Sequence, residues 1–194
     1  QYQAFFSVPV DLVPSYPVLL DYYRSKQDGP YCVIAPDANA VSRARAFANY
    51  LNATLAFITK SRAGPSKIKE VQLTGHEQLQ NVHAIMLDDM IDTAGTAIEG
   101  GLLVRKHNPR DLSLCAIHPV FSYTDGAPAH RKVTEIKYKG HDLFDEIVVT
   151  NTIMGRAYDK KIRELSLAPM FMRALLEDYV GGSISKLYPH WNDL

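Results

Sequence analysis

The chain alternates short apolar runs with longer amphipathic stretches, the pattern of a mostly parallel central sheet flanked by helices. Strands are predicted over Tyr31–Ala35, Thr54–Thr59, His83–Leu87, Leu112–Ile117 and Glu146–Thr150. The first, third and fourth show little alternation of apolar and polar positions, as expected of strands buried on both faces. Val41–Leu51 places Val41, Ala44, Ala48 and Leu51 on one helical stripe, with Arg43 and Asn49 away from it. Helices are also predicted over Thr96–Lys106, Pro128–Lys137 and Pro169–Tyr179, and an early one between Pro14 and Ser25. Lys60–Gly75 carries Gly64, Pro65 and several cations, which predicts a long mobile loop or a ribbon. Ser122–Pro128 and Lys139–Leu143 predict surface turns. A long loop after the C-terminal end of a strand in an α/β sheet is where ligands usually bind.

Composition narrows the function classes. With 194 residues, 46% of them hydrophobic, one domain with a sizeable core is expected. The 21 basic and 21 acidic residues cancel, so no global field draws the chain to nucleic acid or to a membrane surface. No apolar run approaches membrane-spanning length. Cys32 and Cys115 both sit inside apolar runs and read as buried thiols, which predicts a reducing, cytoplasmic setting. His76, His107, His130, His141 and His190 lack metal-ligand spacing.

The chemistry is concentrated where Ile85-Met86-Leu87 runs into Asp88 and Asp89, followed by Asp92-Thr93-Ala94-Gly95-Thr96 and a helix. Such a turn aims several backbone N–H groups at one point, and the helix N-terminus adds positive potential. Thr93 and Thr96 can donate hydroxyl hydrogen bonds to the same anion, and Gly95 allows close backbone approach. Asp88 and Asp89 would repel a phosphate, but they suit vicinal hydroxyls or a metal shared with the substrate. Phosphate and vicinal hydroxyls together describe a ribose phosphate. A solvated acidic turn before a threonine-capped helix is the alternative.

This run resembles the loop of type I phosphoribosyltransferases that binds 5-phosphoribosyl 1-diphosphate (PRPP). Asp-Asp-Met-Ile-Asp-Thr-Ala-Gly-Thr is more similar still to its form in the ribose-phosphate pyrophosphokinases, the PRPP synthetases. Gln1-Tyr2-Gln3-Ala4-Phe5-Phe6, Ala35-Pro36-Asp37-Ala38, Val148-Val149-Thr150-Asn151-Thr152-Ile153 and Gly182-Ser183-Ile184-Ser185-Lys186-Leu187-Tyr188 resemble further segments of that family, in family order. The resemblance covers essentially the whole chain. It implies a type I phosphoribosyltransferase-like α/β fold, and transfer of diphosphate from magnesium-ATP to ribose 5-phosphate, giving PRPP and AMP.

Carried over by residue, the resemblance implies that Asp88, Asp89, Asp92, Thr93, Ala94, Gly95 and Thr96 bind ribose 5-phosphate. Asp37 would be a magnesium ligand, with Ala38 and Asn39 facing the pyrophosphate. The family's paired glycines are here Asn39 and Ala40, and alanine adopts a left-handed backbone poorly. Lys60 and Arg62 match the family's Lys-x-Arg and would be catalytic, neutralising charge on the transferring group once their loop closes. His118 reads as structural or as a support for neighbouring site residues, and Pro119 departs from the family pattern. Ser183 and Ser185 resemble a segment that takes part in phosphate-responsive regulation.

The resemblance further implies that residues 1–194 are the C-terminal domain of a synthetase, with 1–12 a linking segment and the N-terminal ATP-site domain absent from this chain. Partners would then be that domain or further copies of the chain. The isolated chain is expected to bind ribose 5-phosphate or PRPP and to synthesise PRPP poorly. Two other functions remain: a non-catalytic protein like those associated with the synthetases, or a PRPP-consuming phosphoribosyltransferase, for which no base-binding hood is evident.

Overall fold

Buried β-branched and small residues build the sheet, and the helices between its strands present apolar stripes to its two faces. A computed structural model describes residues 2–26, 29–61, 70–124, 126–153 and 158–187. The first half of the chain forms α1 (Tyr16–Lys26), β1 (Tyr31–Ala35), α2 (Val41–Leu51), β2 (Thr54–Ser61), β3 (Glu70–Thr74), β4 (His83–Met90) and α3 (Gly95–Arg105). The second half forms β5 (Asp111–His118), β6 (Tyr123–Thr124), β7 (Ala127–Pro128), α4 (Ala129–Glu135), β8 (Lys137–Tyr138), β9 (His141–Asp142), β10 (Glu146–Thr150), β11 (Ile162–Leu165) and α5 (Ala168–Tyr179).

Seven strands make one sheet in the order β11-β10-β5-β4-β1-β2-β3. Its neighbours are parallel except β2 and β3, which are antiparallel. Alternation along the strands splits the core. Cys32, Ile34, Met86, Leu114 and Val149 face α3 and α4, packing with Ala97, Val104, Val133 and Phe144. Val33, Ala35, Ile85, Leu87, Cys115 and Val148 face α1 and α2, packing with Leu19, Tyr23, Ala44 and Phe47. Both cysteines are free and buried, as expected, and they lie in separate core clusters. Among the described residues, no helix is long and apolar enough to cross a membrane.

The predicted strands at Tyr31–Ala35 and Glu146–Thr150 are observed with those bounds. β4 runs past its apolar stretch because the ladder needs only backbone groups: Asp88 still pairs with Ala116, and Met90 with His118. Part of the cationic stretch after β2 forms a ribbon, with β3 returning against β2 so that Lys60 pairs with Val71. The predicted turn at 122–128 contains the two-residue ribbon β6–β7, and the one at 139–143 joins β8 to β9 and includes β9 itself. The helix predicted to reach Lys137 stops at Glu135, because Ile136 is extended (φ −61°, ψ 135°) and Lys137 pairs with Asp142. The edge strand β11 was not expected, since Arg163 and Glu164 are both exposed and break the apolar run.

α3 approaches the sheet closely at a glycine pair. A Cβ on Gly101 would lie 2.8 Å from Phe144 Cζ and 3.2 Å from Leu143 Cδ2, both on buried side chains. Gly101→Ala is therefore expected to lower stability by about 1–3 kcal/mol, the usual range for overpacking, as read from a urea midpoint.

Candidate functional site

The direction of chain crossover reverses between β1 and β4. From β1 the chain crosses by α2 to β2 on one side, and from β4 it crosses by α3 to β5 on the other. The two helices cover opposite faces of the sheet, so the loops leaving β1 and β4 part and open a crevice. Asp37 leaves β1 at this crevice, and Asp88 and Asp89 end β4. Ile34 pairs with Met86 near the ends of the two strands, and the Asp37 carboxylate is near enough to Asp88 to raise its pKa. The backbone of Lys60 lies at the same end of β2, next to β1. The side chain of Lys60 and the whole of Arg62 lie outside the described residues.

The loop from β4 to α3 is built as an anion nest. α3 begins at Gly95 with Ala94 in its cap position, and no side chain caps the helix. Ala94 has left-handed backbone (φ 66°, ψ 2°), a conformation that costs alanine about 1 kcal/mol and gathers at ligand-binding turns. Thr93, Gly95 and Thr96 are exposed, whereas Ala94 and Ala97 are buried against the core. The loop is tied from outside by the segment after β5. Ile91 N–H donates to the His118 carbonyl at 3.0 Å, Phe121 N–H to that of Ile91 at 2.8 Å, and Ser122 N–H to that of Asp92 at 3.1 Å. The Ser122 hydroxyl also donates to the Asp92 carboxylate. Asp92 thus anchors the nest, and the tie holds buried Phe121 at a positive φ of 43°. The nest is preorganised.

The paired acids differ in environment. Asp88 is half-buried and accepts the Asp89 N–H at 2.8 Å. Burial first, and then the Asp89 and Asp37 carboxylates nearby, push its carboxyl up to about 7. Asp89 faces the guanidinium of Arg43 on α2 at 3.3 Å. Both line a cavity of about 430 Å³ with Pro14, Ser15, Tyr16, Ile117 and His118, so the end of β4 opens onto the space between α1, α2 and β5. Burial pushes the Tyr16 hydroxyl up to about 12, so it stays neutral at physiological pH.

Asp37 Oδ1 accepts the N–H groups of Asn39 at 2.8 Å and Ala40 at 3.0 Å. The loop is therefore held by its own carboxylate, and the Asn39 N–H expected to face pyrophosphate is turned to Asp37. The replaced glycines cause no strain: Asn39 is absent from the positive-φ positions, and Ala40 is right-handed at φ −81°. Among the described residues, no group of three acidic, histidine or cysteine side chains could hold a metal alone. One carboxylate at a strand end, beside Asp88 and Asp89, instead fits magnesium carried mainly by substrate phosphates.

His118 Nδ1 lies 3.1 Å from Thr152 Oγ1, while the Thr152 hydroxyl donates to the Ile117 carbonyl at 3.1 Å. His118 Nδ1 is then the donor, and the ring is fixed on the cavity wall, a more specific placement than the sequence implied. Ser183 and Ser185 are not part of the crevice. They follow α5, Ser183 just before and Ser185 within a short turn (Ile184–Leu187) whose Ile184 and Leu187 pack with Leu167 and Met170. Tyr16, Arg43, Ser122 and Thr152 were missed as site residues. Only Arg43, charged in the first turn of the helix after the Asp37 loop, gave a local signal.

Residues 18–149 match the phosphoribosyl transferase domain, and the chain belongs to that family. Within it, nearly the whole length is similar to ribose-phosphate pyrophosphokinases. Identity is 36% over 191 residues to that of Prochlorococcus marinus, covering 97% of this chain and 55% of that protein. It is 42% over 154 residues to that of Synechococcus elongatus, covering 79% of this chain and 43% of that protein. The crystal structure of phosphoribosylpyrophosphate synthetase from Mycobacterium smegmatis superimposes with a TM-score of 0.75 at 27% identity, over 93% of this chain and 55% of that one. The chain thus spans about half the length of the relatives it matches. The fold and the family resemblance expected from the sequence are both borne out.

Proposed function

We propose that this chain is the ribose-phosphate half of a PRPP-forming active site, and that the nest at Asp92–Thr96 with Asp88 and Asp89 holds ribose 5-phosphate. The observation that carries this reading is α3, whose N-terminus has no side-chain cap and is tied rigidly beside two carboxylates. The phosphate takes the place of a cap, and the carboxylates accept from the ribose hydroxyls. Asp37, Ala38 and Asn39 receive the diphosphate end of ATP, with Asn39 released from Asp37 as the phosphates arrive. Magnesium, held by Asp37 and the phosphates, would neutralise charge on the transferring group. Lys60, at the neighbouring strand end, and Arg62 stabilise charge on the transferring group as the anomeric hydroxyl attacks the β-phosphorus. A segment corresponding to the rest of the relatives would complete the ATP site. The two buried thiols suit work in the cytoplasm.

Titration calorimetry with ribose 5-phosphate or PRPP, alongside AMP release from ATP and magnesium, tests this reading. The chain is expected to bind both sugars and to release AMP slowly. When the remainder of a synthetase is supplied, Lys60→Ala should cut synthesis at least a hundredfold while changing sugar affinity less than threefold. Equal loss of both would remove Lys60 from the catalytic step. Sugar binding with no AMP release in the completed enzyme would favour a non-catalytic, synthetase-associated role.

A further inference from the structure

Two histidines far apart in the sequence meet beside the C-terminal end of α3. His76 opens a short helical turn, His76–Gln78, between β3 and β4, and His107 follows the last turn of α3. Their ring centroids lie 4.8 Å apart, with 40° between the ring planes. Backbone hydrogen bonds fix both segments. Gln78 N–H donates to the Gly75 carbonyl and Leu79 N–H to that of His76, each at 3.1 Å, while His107 N–H donates to that of Val104 at 3.0 Å. Asn81 N–H donates to the Asn108 carbonyl at 3.1 Å and so ties the two segments together. Leu79 and Val104, one on each side, are buried in the same core cluster. The pair is thus placed by structure that does not depend on the rings themselves.

The rings are protonated and supported as metal ligands are. His76 Nδ1 lies 3.1 Å from the Leu73 carbonyl oxygen, which can only accept, so Nδ1 carries the proton of the neutral ring and Nε2 keeps its lone pair. A histidine held through one nitrogen by a backbone carbonyl is the usual support of a metal ligand. Burial, then the neighbouring His76 ring and the Lys106 ammonium, hold the His107 imidazole below its ordinary value, so it is neutral at physiological pH. An ion about 2.1 Å from each ring needs nitrogens within about 4 Å of each other, which the ring spacing allows. Among the described residues no third acidic, histidine or cysteine side chain completes the set, so water fills the remaining positions. Glu77, 4.0 Å from His76 Nδ1, and the negative end of the α3 dipole offset the charge of Lys106. Imidazole nitrogen selects zinc over magnesium, which prefers oxygen. We propose that His76 and His107 form a zinc site that clamps the return of the β2–β3 ribbon to the end of α3. It lies where β4 and β5 begin, at the end of the sheet opposite the crevice, and is independent of the reaction assigned there.

Titration calorimetry of the chain with zinc chloride, in a buffer that does not bind zinc, tests it. One ion per chain should bind with a Kd on the order of 10 µM, as expected of half the ligands of a closed structural site. His76→Gln and His107→Gln should each weaken binding at least about tenfold, and the double change little more than either, because one ring alone cannot chelate. Far-ultraviolet circular dichroism and PRPP binding should be unchanged in all three. His141→Gln, at another exposed histidine, should leave zinc affinity as it is. Native-state hydrogen exchange reads the clamp: zinc should slow the amides of Gln78, Leu79, Asn81 and His107 in the wild-type chain only. A hundredfold excess of magnesium, about that factor over zinc, should not displace it. A wild-type chain that binds no zinc below about 1 mM would overturn the proposal. Affinity that survives either glutamine change would show adventitious binding at other side chains, and would overturn it too. Zinc held by both rings with unchanged amide exchange would reject the clamp.

Discussion

Asp88→Asn is expected to stabilise the protein at pH 8 and to weaken its hold on ribose 5-phosphate at the same time. In the unfolded chain this carboxyl titrates near 3.8, whereas in the fold burial and the neighbouring carboxylates push it up to about 7. Below about pH 4 both states are protonated and the shift has no effect. Between about pH 4 and 7 the folded chain keeps a proton that the unfolded chain has released, so stability falls as pH rises. Above about pH 7 the loss is complete and constant. A shift of this size corresponds to about 4 kcal/mol, but Asp88 is partly open to water, and screening reduces this to about 1–2 kcal/mol. Asparagine is neutral throughout. The difference in unfolding free energy between variant and wild type, read from urea titrations, should therefore grow by that amount from pH 4 to pH 8. A pH-independent difference would show that Asp88 is not the strained acid. The ligand should report the opposite sign, because the ionised carboxylate is the better acceptor for ribose hydroxyls. Wild-type affinity should rise as pH passes 7, and the variant should lose about tenfold and show no such rise.

The sequence made the nest legible because it is local: strand, paired acids, small-residue turn and helix follow each other within Ile85–Ala97. The sheet was legible for a similar reason, since its central strands are continuous apolar runs. What could not be read is what distant segments bring to the same place. Ser122 ties down Asp92, and Arg43 faces Asp89, only because β4 lies between β1 and β5. Tyr16 reaches the cavity from a helix that reads as simple packing. The Asn39-Ala40 pair illustrates the reverse error. A residue-by-residue carry-over expected strain from the missing glycines, yet Asp37 caps the turn in right-handed backbone and makes glycine unnecessary. At Ala94 the left-handed backbone is real, and nothing in the sequence announced it.

Gly95→Val is expected to abolish phosphate binding while leaving the fold unchanged. Gly95 is the first residue of α3 and does not have a positive φ, so its backbone does not require glycine. Packing does not require it either: an added Cβ would meet only Thr93 Oγ1, at 3.8 Å. Glycine there would otherwise be a slight liability, because it weakens a helix relative to alanine. The space over Gly95 opens between Thr93 and Thr96, where the proposed phosphate must approach the backbone N–H groups. A valine side chain would fill that space and keep the phosphate beyond hydrogen-bond distance of several donors at once. A loss of at least about a hundredfold in affinity, near 2.8 kcal/mol, should follow for ribose 5-phosphate and PRPP alike. The thermal midpoint should stay within about 2 °C of wild type. Gly101→Ala supplies the contrast on the same helix, since there the added carbon meets Phe144 and stability falls while affinity holds. If Gly95→Val binds ribose 5-phosphate within threefold of wild type, the anion does not sit on α3, and the site must be sought elsewhere along the crevice.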